Sequence, residues 1–244
     1  MVHQEMLEGR PGARAKGLEW WPGPPIPDRL AIAMRIPSRD VLPPLEHYTQ
    51  RLMLRPFRRR DIEALYAAVR DSQTELAEFL PWATKTFTRA GAAGFVRESM
   101  RSWREGKAYD FSIRLRDRPD RHVGNISIWH VSRSSRSGEI GYWIRTEDTG
   151  RGIATEATRA ALRIGFEELS MHRMVLRVAV ANKASERVAT KLGFVREGVL
   201  REEIQVGGRW MDHSVWGLLE HEYRRLIRTD RSVEDPDSAC QDGR

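Results

Sequence analysis

Hydrophobic and polar positions divide the chain into three parts. Clustered prolines between positions 22 and 44 exclude a long helix or a paired strand there, so we interpret residues 1–48 as a poorly ordered extension or linker. Met34 lies inside this segment and is an alternative start. Residues 229–244 are polar and charged, which is typical of a disordered tail. The pattern therefore predicts one domain over residues 49–228.

The first part of this domain alternates between strand and helix patterns. Residues 52–57 predict a strand, and Asp61 predicts the N-cap of a helix because apolar residues follow at helical spacing as far as Val69. Thr88 predicts the N-cap of a second helix, which Gly106 can close. A strand and two helices are therefore expected before the pattern changes.

Three β-type runs follow, at residues 109–115, 122–131 and 138–144. Polar turn residues separate them, at 117–120 and 134–137. Strands joined by such short connections pair with their neighbours, so the runs predict a three-stranded antiparallel meander.

The last part of the domain returns to alternating elements. Gly150-Arg151-Gly152 precede a broad apolar stripe over residues 154–169, which predicts a helix packed on the sheet. A strand at 174–180, a helix at 184–192 and a hairpin around Gly207-Gly208 follow. The order of elements predicts an α/β (α+β) fold with one mixed layer.

Composition narrows the class of protein. Hydrophobic residues make up 40% and charged residues 31% of the 244 residues, which is ordinary for a soluble globular protein with one core. The single cysteine, Cys240, excludes an intrachain disulfide and a cysteine-based metal site. No apolar run approaches the length that spans a bilayer, and the first ten residues lack the hydrophobic stretch of a signal peptide. We therefore expect a cytoplasmic protein without a membrane partner.

The net charge is only weak evidence about the binding partner. The formal net charge of +7 favours an anionic partner. Nearly all of the 41 basic residues are arginines, however, and genomic base composition explains such a bias equally well. No nucleic-acid-binding motif accompanies the charge, so we expect no direct nucleic-acid partner. The histidines show no metal-ligand spacing, and no metal is predicted.

Residues 142–157 are the most informative segment, because they describe a strand that leads through a glycine turn into a helix. The first main-chain N–H groups of a helix point outward with the positive end of its dipole, and glycines let a diphosphate approach them. A plain strand-to-helix turn uses the same glycines. These residues alone leave both interpretations open.

Residues 149–154 resemble the cofactor loop of the GNAT superfamily of N-acetyltransferases, which reads Gln or Arg, two residues, Gly, one residue, then Gly or Ala. Residues 182–198, with Leu192-Gly193-Phe194 and Glu197-Gly198, resemble the second cofactor-binding segment of that superfamily. The chain is most similar to its RimJ/RimL subgroup, the ribosomal-protein alanine N-acetyltransferases. Four segments carry that similarity: 51–55, 79–82, 141–144 and 208–213.

The resemblance covers residues 49 to about 220 and implies a GNAT acyl-CoA N-acyltransferase fold, with a central mixed, mostly antiparallel sheet flanked by helices. It implies acetyl-CoA as co-substrate. The residues implied to bind it are Tyr142, Trp143 and Ile144 beside the pantetheine arm, Thr149, Gly150, Arg151, Gly152, Ile153 and Ala154 around the diphosphate, and Asn182. Thr149 departs from the family's Gln or Arg, and Arg151 is the candidate to compensate.

The resemblance also suggests catalytic residues. Glu139 is the candidate base, with a solvated ion pair to Arg136 as the competing interpretation. Many superfamily members use a tyrosine as the acid at the position of Ala189, so Ser185 is the available hydroxyl here; a first-turn helix serine is the alternative. Trp82 is expected to wall the acceptor cleft.

These features predict an N-acetyltransferase that acetylates a primary amine by direct attack in a ternary complex. The implied acceptor is the N-terminal amine of a protein, with a ribosomal protein as the first choice. Contact with nucleic acid is expected only through the ribosome. A small amine such as a polyamine or aminoglycoside is a second possibility, which strongly acidic cleft walls would favour. A basic ribosome-associated binding module with little catalysis is a third. The sequence leaves monomer and homodimer open.

Overall fold

The structure is a computed structural model that describes residues 43–234, with side chains described for residues 43–229. Most of the predicted extension, residues 1–42, and the end of the predicted tail, residues 235–244, lie outside this part. None of the helices it describes is long and apolar enough to cross a membrane.

One sheet of eight strands forms the centre of the molecule, in the order β1-β2-β3-β4-β5-β6-β8-β7. Neighbouring strands are antiparallel, except that β5 and β6 are parallel. The predicted mixed, mostly antiparallel sheet and its central meander, β3 to β5, are confirmed. The strands are β1 (His47–Tyr48), β2 (Leu52–Pro56), β3 (Ala108–Leu115), β4 (His122–Ser132), β5 (Ser137–Ile144), β6 (Arg173–Ala179), β7 (Val195–Val206) and β8 (Arg209–Leu219).

Helices cover both faces of the sheet. Ile126 and Ile140 of the sheet share the larger core with Ala157 and Ala161, whereas Trp143 belongs to a smaller core. Because alternate residues of a strand face opposite sides, Tyr142 packs against the larger core and Trp143 against the smaller one. The helices are α1 (Ile62–Arg70), α2 (Gln73–Leu76), α3 (Arg89–Arg104), α4 (Ile153–Arg163), α5 (Lys183–Lys191) and α6 (Glu220–Glu234); α4 continues as a π-helical turn, Ile164–Glu168.

The predicted helix ends of α3 are confirmed. The Thr88 hydroxyl accepts a hydrogen bond from the main-chain N–H of Gly91 at 3.1 Å, and Gly106 follows the helix with a φ of +60°. The predicted hairpin around Gly207-Gly208 joins β7 to β8, and both glycines have positive φ. Local sequence signals therefore placed these ends correctly.

Asp61 has a different role from the predicted N-cap. Its carboxylate makes no capping hydrogen bond to α1 and is instead 2% exposed, with Arg55 Nη2 at 2.7 Å and Arg114 Nη2 at 2.8 Å from Oδ1. Burial acts to raise the pKa of Asp61, but hydrogen bonds from Arg55 and from the main-chain N–H of Arg58, with the charges of Arg55 and Arg114, outweigh it and leave the pKa below its usual value. The prediction missed this because Arg114 is distant in sequence.

Regular structure extends across both predicted boundaries of the domain. β1 lies inside the predicted linker and pairs with β2, and a two-residue strand is too short to show an alternating pattern. Helix α6 extends to Glu234 and so overlaps the predicted tail. Its Tyr223 ring stacks on Phe166 with centroids 4.8 Å apart, which anchors the helix where its sequence looks mostly polar.

Candidate active site

The sheet opens into a gap between its two parallel strands. β5 and β6 pair only through Ser137–Arg173, Gly138–Met174 and Glu139–Val175, although β5 continues to Ile144 and β6 to Ala179. Beyond Glu139, the edge of β5 that faces β6 makes no further strand pairing in the described chain. Its main-chain N–H and C=O groups are therefore available to an extended ligand that carries amides.

A cavity of about 700 Å³ lies at this gap. The structure brings six of the predicted site residues to its walls: Trp82, Glu139, Tyr142, Trp143, Asn182 and Ser185. Ile144 and the loop residues 149–154 do not line it. The predicted site is thus a cavity with a separate loop at the end of β5.

The loop has the geometry that a bound anion requires. Gly150 and Gly152 have φ values of +73° and +77°, which side chains rarely adopt. Gly152 is the N-cap of α4 and provides no side chain to its N–H groups, and a Cβ atom on Gly150 would meet nothing within 4 Å. Bare N–H groups beside open space fit the diphosphate of a nucleotide.

The loop's own polar side chains are committed to neighbouring groups. The Thr149 hydroxyl donates to the main-chain oxygen of Thr146 at 2.7 Å. Arg151 Nη1 lies 3.0 Å from Oδ1 of Asp148, which is fully buried. The loop therefore offers its main-chain N–H groups together with the Arg151 side chain, which is 58% exposed.

Arg51 braces the loop, a contact that the sequence did not indicate. Its Nη1 donates to the main-chain oxygen of Arg151 at 2.9 Å, and its Nε donates to Glu156 Oε2 at 2.7 Å. Arg51 and Arg151 also line a second, smaller pocket of about 270 Å³. Arg51 belonged to one of the segments similar to the RimJ/RimL subgroup, but no role followed from the motif.

Glu139 is a buried member of an ion-pair network. It is 6% exposed, and Arg177 donates to both of its carboxylate oxygens, from Nε at 2.9 and 3.0 Å and from Nη2 at 2.8 Å. Arg177 Nη1 also donates to Glu203 at 2.7 Å. The predicted alternative, a solvated pair with Arg136, is wrong, because Arg136 instead donates to the main-chain oxygen of Ser170.

Burial acts to lower the pKa of Arg177, but the hydrogen bonds and charges of Glu139 and Glu203 outweigh it and raise the pKa above its usual value. Arg177 is therefore a permanent cation in the cavity wall. It offsets the charge of Glu139 and fixes the position of that carboxylate.

Three polar groups meet near the start of α5. Asn182 is the N-cap, and its Oδ1 accepts the main-chain N–H of Ser185 at 3.0 Å. Ser185 is therefore a first-turn serine that also lines the cavity. Burial raises the pKa of Tyr142 to about 12, and the nearby Ser185 hydroxyl opposes that rise, although no hydrogen bond of regular geometry reaches the phenol oxygen. Tyr142 thus remains a neutral donor at physiological pH.

Aromatic rings form the opposite wall. Trp82 lies with its ring centroid 6.3 Å from that of Trp143 and 5.9 Å from that of Phe87. Trp129 covers Gly141 so closely that a Cβ atom there would lie 2.8 Å from its Cη2 atom. This wall is suited to an apolar or flat group.

Among the described residues, no cluster of His, Cys, Asp and Glu has the arrangement of a metal site. His122 illustrates why the histidines do not form one. It is fully buried, hydrogen-bonded to the Ser112 hydroxyl at 2.8 Å, and burial lowers its pKa to about 3. It is a core residue beside Trp143.

Comparison with known proteins identifies the class. The family model described as "Acetyltransferase (GNAT) domain" matches residues 51–195. The structure of Mycobacterium smegmatis RimJ in complex with CoA-disulfide superposes with a TM-score of 0.67 at 29% identity, covering 74% of this chain and 90% of that one. The protein is therefore an acetyltransferase. It belongs to the GNAT family, and its similarity to the RimJ/RimL subgroup is confirmed.

The curated relatives differ in what they acetylate. The ribosomal-protein-serine acetyltransferase of Escherichia coli K12 is 26% identical over 141 residues, which cover 58% of this chain and 77% of the relative. The spermidine N(1)-acetyltransferase of Vibrio cholerae is 32% identical over 101 residues, which cover 41% of this chain and 58% of the relative. Similarity alone leaves two classes of acceptor.

Proposed function

We propose that this protein is a cytoplasmic enzyme that transfers the acetyl group of acetyl-CoA to the N-terminal amine of a protein, with ribosomal proteins as the first acceptors. The single observation that carries the proposal is the gap between β5 and β6, which joins a free strand edge, an open glycine loop and a cavity. These three parts suit the arm, the diphosphate and the thioester of one donor molecule.

Main-chain groups hold the donor in this proposal. The β5 edge at Tyr142, Trp143 and Ile144 receives the pantetheine arm, and the turn at residues 149–154 receives the diphosphate. The amide nitrogen of Asn182 adds a contact, because its oxygen is already used to cap α5. Acetyl-CoA supplies the activated thioester, and the chain positions it.

Glu139 directs the proton of the attacking amine. The amine attacks the thioester carbonyl carbon, a C–N bond forms, the C–S bond breaks, and the proton that the amine loses passes to Glu139 through a water molecule. Arg177 holds the carboxylate in place at 2.8 Å. Near the start of α5, Ser185 and Tyr142 stabilise the departing sulfur by hydrogen bonding, and water supplies its proton.

The acceptor half of the cavity favours a protein N-terminus over a polyamine. Three carboxylates line the cavity: Glu139 pairs with Arg177, Glu98 lies 2.5 Å from Arg101, and Asp110 accepts a hydrogen bond from the Ser127 hydroxyl at 2.5 Å. Trp82 and its aromatic neighbours provide apolar walls. Arginines therefore offset two of the three carboxylate charges, and placing a second ammonium against apolar walls is unfavourable.

A small-amine acceptor is the second candidate, favoured by the similarity to a spermidine acetyltransferase. The test is release of free thiol from acetyl-CoA with peptides that copy ribosomal-protein N-termini, spermidine and an aminoglycoside. We expect the highest kcat/KM for a peptide. Fastest turnover of spermidine would select the second candidate, and no release with any amine would indicate a binding module instead.

A further inference from the structure

Arg51 joins the start of β2 to the cofactor loop. Its guanidinium donates to the main-chain oxygen of Arg151 at 2.9 Å and lies 2.6 Å from Glu156 Oε2 in the first turn of α4. A Cβ atom placed on Gly152 would be 3.4 Å from Arg51 Nη2. Arg51 therefore touches both the loop and the helix that follows it.

Glu156 explains why an arginine is needed at this place. A carboxylate in the first turn of a helix is stabilised by the helix dipole, but it repels any diphosphate that binds there. Burial acts to raise the pKa of Glu156, but hydrogen bonds from Thr49 and Arg51 outweigh it, so the pKa is lowered and the group is ionised at neutral pH. Its charge must be offset before the loop can accept an anion.

The loop's own arginine is poorly placed to offset it. Arg151 Nη1 pairs with the buried Asp148 at 3.0 Å rather than with Glu156, although the Arg151 side chain is 58% exposed. Arg51 contacts Glu156 directly through both its main-chain N–H, at 2.9 Å, and its side chain, and that side chain remains 48% exposed. Arg51 is thus both paired with Glu156 and accessible from the side of the loop.

We propose that Arg51 is a positioning residue for the donor: it holds the turn at Gly150–Gly152 open and neutralises Glu156, so that the loop accepts a diphosphate. This rests on the proposed function, because it assumes that acetyl-CoA is the donor. It gives Arg51 a role in specificity. Arg51 favours acetyl-CoA over acetyl-pantetheine, which carries the same thioester without phosphates.

The experiment measures kcat and KM for both donors with one acceptor peptide. Arg51→Gln should raise the KM for acetyl-CoA about tenfold, the loss expected for one charge-assisted contact, and leave kcat within about twofold. It should leave the kinetics with acetyl-pantetheine unchanged. Arg51→Lys should restore part of the loss, and Arg51→Gln with Glu156→Gln should restore more, because the repelling charge is gone.

Arg58→Gln is the matched control. Arg58 follows the opposite end of β2 and forms an exposed pair with Glu46 at 2.8 Å, so its loss should change neither donor's KM. An equal loss with both donors, no loss with either, or no recovery in the double variant would each overturn the role of Arg51. If the wild-type enzyme instead used both donors equally, the result would contradict a diphosphate site at the loop and, with it, acetyl-CoA as the proposed donor.

Discussion

The donor part and the acceptor part of the proposed site are formed by different groups of the protein. The proposed donor side consists of a strand edge and a glycine turn, where main-chain groups are accessible beside the exposed Arg151 side chain. The acceptor side consists of side chains from distant elements, such as Trp82 and the Glu139–Arg177 pair. A main-chain surface tolerates substitution wherever the backbone is preserved, whereas a side-chain surface depends on each residue. The two sides should therefore respond differently to mutation.

The largest effect is expected at Glu139. Glu139→Gln should reduce kcat by roughly 100-fold to 10,000-fold, the range of general acid–base catalysis, and flatten the pH–rate profile while acetyl-CoA affinity by calorimetry stays unchanged. Glu203→Gln is the matched control, because it also removes a carboxylate from Arg177 but does not line the cavity. An unaltered profile for Glu139→Gln would rule out its role as the base.

Gly152→Val tests the donor side directly. We expect roughly 100-fold weaker acetyl-CoA binding, because a left-handed conformation costs a branched residue about 1–2 kcal/mol and the new side chain would displace Arg51, whose Nη2 lies 3.4 Å from the Cβ position. Arg151→Ala in the same loop should change affinity by less than about threefold, since its side chain pairs with Asp148. Calorimetry with both variants checks this; equal affinities would contradict the main-chain cradle.

A smaller effect is expected at the two hydroxyls beside α5. Ser185→Ala and Tyr142→Phe should each lower kcat roughly tenfold, the worth of one hydrogen bond to developing charge, with little change in acetyl-CoA affinity. In the double variant the two losses should combine to less than their product, because the hydroxyls are neighbours. Ser135→Ala, on an exposed turn, is the control. An unchanged kcat in Ser185→Ala would rule out a catalytic role for Ser185 and indicate that it is only a first-turn serine of α5.

The smallest effect concerns stability in acid. The pKa of His122 is about 3 in the folded protein and near 6.5 in the unfolded chain, so the unfolded state binds more protons between these values. Its stabilising contribution is complete above pH 6.5 and is lost as the pH falls toward 3. His122→Phe should therefore narrow the difference in Tm between pH 7 and pH 4.5 by a few degrees.

The exposed His172 provides the comparison, because His172→Gln should leave that difference as it is in the wild type. Asp61 also destabilises the fold on acidification, since its lowered pKa contributes stability that is lost as its carboxylate protonates. Asp61 affects variant and wild type alike, so the effect of His122 is measured by how far the variant's Tm difference between pH 7 and pH 4.5 departs from that of the wild type. A His122→Phe protein with the full wild-type difference would contradict the assignment.

The sequence predicted the local elements of the site better than its long-range contacts, for a physical reason. A glycine turn between a strand and a helix is local, so the sequence predicted the turn at residues 149–154, and the resemblance to the GNAT superfamily supplied its expected role. The partner of Glu139 is 38 residues away, and that of Arg51 is 105 residues away. Such pairs depend on which strands and helices lie side by side, and one chain's pattern of hydrophobic positions does not contain that register.

The brief pairing of β5 with β6 divides the sheet into two blocks that are each continuous in the chain, residues 47–144 and 173–219. A donor molecule bound in the gap would contact both blocks and so favour their association. We expect the chain to be separable into two fragments within the connecting stretch, with reassembly that strengthens as acetyl-CoA is added. The substrate would then also stabilise the association of the two blocks.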